Sequence, residues 1–215
     1  MSSTAKYYPP LEERINVLSH AFGLLLSIIG LFFLVARAVK FEGLLPLFSF
    51  IIYGISLVLL YTASTCYHNT AEPKLRAKLR IVDHAAICVL IAGTYTPLTL
   101  VTLNGSVGWT IFAASWGLAL AGIMLSLFFT GRFKILSTLI YVFMGWMIVF
   151  AIKPLMDSLD DMGLRWLIAG GIAYTIGAIV YAVKTIKFNH AIFHVFVLLG
   201  SFCHFMTVYC YVLPL

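Results

Sequence analysis

Long apolar runs broken by short polar clusters dominate the chain. A run of about 20 apolar residues is what an α-helix needs to cross the hydrocarbon core of a bilayer. The pattern predicts seven spans, at residues 15–38, 44–67, 82–103, 109–129, 135–152, 164–183 and 190–213. Glu72–Arg80 reads as a loop, Pro154 with Asp157–Asp161 as another, and Asn104–Gly108 as a tight polar turn. Pro97 is expected to kink the third span, where neighbouring helices can satisfy the freed carbonyl. Gly117 with Ala121, and Ala173 with Gly177, are small pairs one turn apart that would let helices approach closely. The first run, from Val17 to Val39, exceeds a signal-peptide core of roughly 7–15 residues, so it is read as a span. Residues 1–215 thus form a single all-α, polytopic seven-helix transmembrane domain.

Composition agrees. Hydrophobic residues make up 62% of the 215 and charged residues 10%, where a soluble domain carries about 25% charged. A soluble fold is excluded, and this weighs against a secreted pore-forming toxin, which needs a soluble form, so that reading ranks below the others. Cys66, Cys88, Cys203 and Cys210 all lie in apolar stretches. They form no disulfide framework and read as buried free thiols.

The net charge of +6 could suggest a nucleic-acid partner, but the basic residues sit between apolar segments and face lipid headgroups instead. Ten of them lie on the N-terminal side: Lys6, Arg14, Lys74, Arg76, Lys78, Arg80, Arg132, Lys134, Lys184 and Lys187. Four lie on the other side, namely Arg37, Lys40, Lys153 and Arg165. The positive-inside rule places the N-terminus in the cytoplasm and, with an odd number of spans, the C-terminus outside. Trp109 and Trp166 then fall at the outer interface, where indoles prefer to sit.

Ionisable residues inside a span are costly and usually functional. His20, His68, Asp83, His190 and His194 are scattered in sequence, yet the span assignment puts all of them in the cytoplasmic third of the bilayer. His190 and His194 are four residues apart and share a helix face, so both can bind one metal ion, with His68 supplying a third nitrogen. Catalytic zinc has three protein ligands and one open position. Asp83, at the same depth, could orient or deprotonate a water there, and Ser64, one turn before His68, could hydrogen-bond the same group. His204 lies ten residues beyond His194, about 15 Å along the axis, and is read as an interhelical hydrogen-bonding residue. His84 points roughly 100° from Asp83 around the helix and is left as structural. Cys66 is expected to face away from the site. Asn16 and His20, one turn apart, are candidates for supporting the ligands.

These residues carry a family resemblance. Glu13-x-x-Asn16-x-x-Ser19-His20-x-x-Gly23, Ser64-x-x-x-His68, Asp83 with Gly93-Thr94-Tyr95-Thr96-Pro97, and His190-x-x-x-His194 with His204 resemble the motifs of the hemolysin III family, bacterial relatives of the adiponectin and progestin receptors. The resemblance covers nearly the whole chain. It implies seven helices with the N-terminus inside, in the inner (plasma) membrane of a bacterium. It also implies zinc held by His68, His190 and His194, with Asp83 and Ser64 touching the zinc-bound water. The wider group includes alkaline ceramidases and has been proposed to consist of metal-dependent lipid hydrolases. The receptors carry a longer N-terminal cytoplasmic region, which argues against hormone reception here.

Two functions from different classes follow. The first is a zinc-dependent hydrolase of a membrane lipid amide or ester, with Asp83 as general base. The second is a non-catalytic membrane-homeostasis or receptor-like protein with structural zinc, in which His20 or Asp83 would supply a fourth ligand. A transporter relaying protons through the same groups is a further alternative.

Overall fold

The computed structural model describes residues 6–129 and 134–213. The elements are α1 (Pro10–Ala38), α2 (Leu44–Asn69), α3 (Pro73–Pro97) with a π-helical continuation over Leu98–Leu103, α4 (Gly105–Phe129), α5 (Lys134–Trp146), a 3-10 segment Met147–Ala151, α6 (Ile152–Ser158), α7 (Asp161–Ala182) and α8 (Asn189–Tyr211). No strand occurs among the described residues. Seven helices are long and apolar enough to cross a membrane, the fifth being Ser137–Ser158, which runs through α5, the 3-10 segment and α6.

The helices are inside-out relative to those of a soluble bundle. On α1 the buried face reads Glu12, Asn16, His20, Gly23, Ser27, Gly30, Leu34, Ala38, a helical stripe of polar and small side chains. Leu18, Phe22, Leu25, Ile29 and Phe32 stand on the exposed face. Lipid tails are as apolar as leucine, so helix association there depends on close packing and polar contacts rather than on removing apolar surface from water. α1 packs on α2 and α8, α2 on α3, and α7 on α8. The tightest approaches need glycine. A Cβ on Gly177 would lie 2.7 Å from that of Phe196, which bears out the expectation for that pair. Gly117 meets nothing within 4 Å and lies on the exposed side of α4; the face that packs instead carries Ser115, Ala119, Gly122 and Ser126.

Four other expectations change. Asn104–Gly108 is not a five-residue turn: only Asn104 lies outside a helix, because α4 begins at Gly105. Glu72–Arg80 is not a loop: α3 begins at Pro73, and the Glu72 carboxylate caps it by accepting from the backbone N–H of Lys74 (2.8 Å) and Leu75 (2.5 Å). Proline suits this first turn because its missing N–H has no helical partner there. Pro154 belongs to the first turn of α6, for the same reason. Of the cysteines only Cys88 is fully buried, while Cys66 is exposed and Cys203 and Cys210 are intermediate; all are free thiols. At Pro97 the third span changes its winding from α to π.

α5 touches α3, α4 and α7 only sparingly. Beside it an interior cavity of about 200 Å³ opens between α2, α3, α5, α7 and α8.

Candidate metal centre

His68 is in the last turn of α2, and His190 and His194 are in the first two turns of α8. The Nε2 atoms of His68 and His190 are 3.0 Å apart, and those of His190 and His194 are 3.2 Å apart. Ligand atoms of all three rings lie within 4.8 Å of one another, and all three residues are buried. Nitrogens around a tetrahedral zinc at 2.0–2.1 Å stand about 3.4 Å apart, so the spacing fits one ion.

The neighbours of each ring decide its tautomer. His68 Nδ1 lies 2.7 Å from Glu13 Oε2. A carboxylate only accepts, so Nδ1 carries the hydrogen and Nε2 presents its lone pair. The Ser19 hydroxyl donates to the Asn16 carbonyl at 3.1 Å, which leaves its oxygen to accept from His194 Nδ1 at 3.3 Å. His194 Nε2 is then bare as well. Both lone pairs face His190 Nε2, which has at most one hydrogen to offer. A cation at the convergence resolves this conflict; three neutral imidazoles do not. Carboxylate and hydroxyl partners behind ligating histidines are the usual way such rings are oriented.

The supports come from α1 and α3. Arg76, fully buried, donates to the carbonyls of Lys6 (2.8 Å), Tyr67 (3.1 Å), His68 (3.1 Å) and Thr70 (3.0 Å) and pairs with the Glu13 carboxylate. The Tyr67, His68 and Thr70 carbonyls belong to the end of α2, where helical acceptors are left without N–H partners. Arg76 therefore fixes His68 twice, through its backbone and through Glu13. The Glu12 carboxylate accepts from the His190 backbone N–H at 3.3 Å, capping the start of α8. His20 stacks on His194, with ring centroids 3.5 Å apart and planes 10° off parallel. Asn16 Nδ2 comes to 3.5 Å from His68 Nδ1. Tyr8, in the segment before α1, stacks on His190 at 4.5 Å. Burial pushes its phenol well above the usual range, with the nearby Tyr181 adding to the effect, so Tyr8 is neutral.

Asp83 and Ser64 line the cavity together with His190 and His194. Neither Asp83 nor His20 belongs to the converging set. His84 also lines the cavity. Its Nδ1 lies 3.8 Å from Asp83 Oδ2 and bonds the Arg80 carbonyl at 2.7 Å; the cavity is broad enough to meet both residues despite their angular separation. His204 Nε2 bonds the Leu167 carbonyl on α7 at 3.2 Å, an interhelical bond as expected. The sequence reading named Glu13 and Ser19 only as motif positions, gave Tyr8 no part, and set Arg76 and Arg80 facing lipid headgroups, whereas both arginines are buried. Carboxylates in the first turn of a polar-faced α1, and two arginines one turn apart, were the available signals.

Fold and site together define a multi-pass membrane protein with a buried three-histidine centre near one end of its bundle. Residues 9–205 match the family described as Haemolysin-III related, and the chain belongs to it. It is 47% identical over 203 residues to Hemolysin-3 of Bacillus cereus, covering 94% of this chain and 93% of that protein. It is 46% identical over 205 residues to the Hemolysin-3 homolog of Bacillus subtilis (strain 168), covering 94% and 96%. A weaker likeness, 26% over 222 residues covering 97% and 88%, extends to the human Monocyte to macrophage differentiation factor.

Proposed function

We propose that this protein is a zinc-dependent hydrolase of a membrane lipid amide or ester, with His68, His190 and His194 as the ligands. The observation that carries the reading is the convergence of three Nε2 atoms beside a cavity that also holds a carboxylate outside the ligand set. Zinc bound by three protein ligands supplies a Lewis acid that polarises a carbonyl and lowers the pKa of water toward about 7.

The chain supplies the rest. Asp83 takes the proton of the attacking water and returns it to the leaving amine or alcohol. Ser64 holds the Asp83 carboxylate in place. The apolar wall of Ile87, Leu90, Ile91 and Val197 receives an acyl chain. With the loop charges ten to four, the site lies near the cytoplasmic leaflet of the plasma membrane, where the amide and ester bonds of lipids sit.

A second reading, a homeostasis or receptor-like protein with structural zinc, draws on the way the triad ties α2 to α8 under α1. One substitution separates the two. Asp83→Asn keeps shape but cannot take up a proton. If the hydrolase reading holds, purified Asp83→Asn retains its zinc and releases no product from a panel of lipid amides and esters that the wild type cleaves. Loss of zinc, with no wild-type turnover on any lipid, favours the structural role. Full turnover in Asp83→Asn removes Asp83 as the base.

A further inference from the structure

His20 is 3% exposed, yet neither its Nδ1 nor its Nε2 has a hydrogen-bond partner. In either tautomer, and when protonated, a histidine ring carries at least one N–H, so a buried donor is left over. Native proteins seldom leave such a group unmet, because its lost hydration is not repaid. The nearest polar groups are committed elsewhere. Tyr61 meets the ring edge-on, with centroids 5.1 Å apart, but its hydroxyl donates to Ser201 at 2.8 Å. The Ser19 hydroxyl is shared between the Asn16 carbonyl and His194.

Packing nonetheless fixes the ring. One face is stacked on His194, with centroids 3.5 Å apart and planes 10° off parallel. Tyr61 can close against α1 because position 23 is glycine: a Cβ there would lie 2.5 Å from the Tyr61 ring. So held, His20 lines the cavity beside His190, His194 and Asp83 without joining the converging ligand set. It comes from α1 and Asp83 from α3. The site therefore presents a base and, separately, a rigid side chain with an unused N–H next to one of the metal-binding rings.

We propose that His20 is a catalytic hydrogen-bond donor, its N–H directed at the oxygen of the scissile lipid carbonyl. This rests on the hydrolase reading and adds a residue to it. As the water oxygen bonds to the carbonyl carbon, the π pair moves onto the carbonyl oxygen and Asp83 takes the water's proton. A carboxylate cannot donate to that oxyanion; His20 can, and it keeps its own proton throughout. When the C–N or C–O bond breaks, Asp83 returns the proton to the leaving amine or alcohol. A donor placed beforehand where charge develops, in a site poor in water, acts on the transition state more than on the bound substrate.

The test compares two probes on purified, zinc-loaded, full-length protein in a neutral detergent. One is a hexadecylphosphonate monomethyl ester, tetrahedral and carrying an oxygen anion; the other is N-methylhexadecanamide, which is planar. His20→Phe keeps an aromatic ring against His194 and Tyr61 but has no N–H. It should bind the phosphonate about 100-fold more weakly than wild type and the amide within about threefold, with zinc content unchanged. His20→Gln restores a donor and should regain about tenfold for the phosphonate. On any lipid that the wild type cleaves, His20→Phe should lower kcat about 10²–10³-fold with KM little changed. Unchanged phosphonate affinity in His20→Phe overturns the proposal, as does a wild type that binds the phosphonate no more tightly than the amide. Loss of zinc in both variants also overturns it, because His20 then serves the metal centre and not the substrate. The probe measurement needs no turnover. A wild type that selects the phosphonate through His20 yet cleaves no lipid counts against the hydrolase alone, and one that cleaves lipids with unchanged kcat in His20→Phe counts against His20 alone.

Discussion

Replacing Glu13 by alanine should separate the support of the metal centre from its ligands. The carboxylate does two things: it accepts from His68 Nδ1 at 2.7 Å and it pairs with the buried guanidinium of Arg76. A hydrogen bond to a charged group contributes about 1.5–3 kcal/mol, and removing one partner of a buried ion pair costs about 3–5 kcal/mol. Glu13 keeps 17% of its side-chain exposure, and Arg76 retains four backbone carbonyls, so the lower end applies and the fold should lose about 3 kcal/mol. Zinc affinity should fall about 10–100-fold, because His68 loses the group that sets its tautomer and orientation. Glu13→Gln should fall less, since its amide oxygen still accepts from Nδ1. Competition against a chromogenic chelator at fixed pH, together with melting of zinc-loaded and zinc-stripped protein in detergent, reads both effects. Zinc affinity in Glu13→Ala within about twofold of wild type would refute the role assigned to this carboxylate.

Other changes have defined outcomes. Arg76→Met should destabilise the fold by about 3–5 kcal/mol by stranding Glu13 and freeing the end of α2, read as a lowered melting temperature; an unchanged melt would show that the clamp is dispensable. Gly177→Leu should destabilise by at least about 1–3 kcal/mol through overpacking against Phe196, whereas Gly117→Leu, on the open side of α4, should change stability by under about 0.5 kcal/mol. Equal effects of the two would contradict the packing described. Reporter fusions at Leu215 and in the Lys184–Lys187 connection should report outside and cytoplasm respectively, and a cytoplasmic signal at Leu215 would reverse the orientation inferred from loop charge.

The seven spans were legible because lipid tolerates apolar side chains on any helix face, so hydropathy alone marks them. The beginning of α3 was not. Lys74, Arg76, Lys78 and Arg80 lower the local hydropathy to that of a loop, yet Arg76 is buried because the carbonyls at the end of α2 replace its water. That exchange is between helices and leaves no trace in a sequence window. His190 and His194 were legible as a pair from helical periodicity, and His68, Asp83 and His20 from a shared depth across separate spans. The partners behind them were not: Glu13 on His68, Ser19 on His194 and Tyr8 on His190 depend on how α1 and the segment before it lie against α2 and α8. His84, left as structural on angle, lines the cavity and bonds the Arg80 carbonyl of its own helix.

The claim on which the rest depends is that three imidazoles hold an ion. Elemental analysis of the purified protein, wild type beside His194→Ala, tests it without any assumption about substrate. About one zinc per chain in the wild type, falling to near zero in His194→Ala while the variant still purifies as a folded protein, is the result expected for a site with three protein ligands. A wild type that carries no stoichiometric metal even after zinc is supplied during expression and purification, or a His194→Ala protein that carries as much zinc as the wild type, would contradict it.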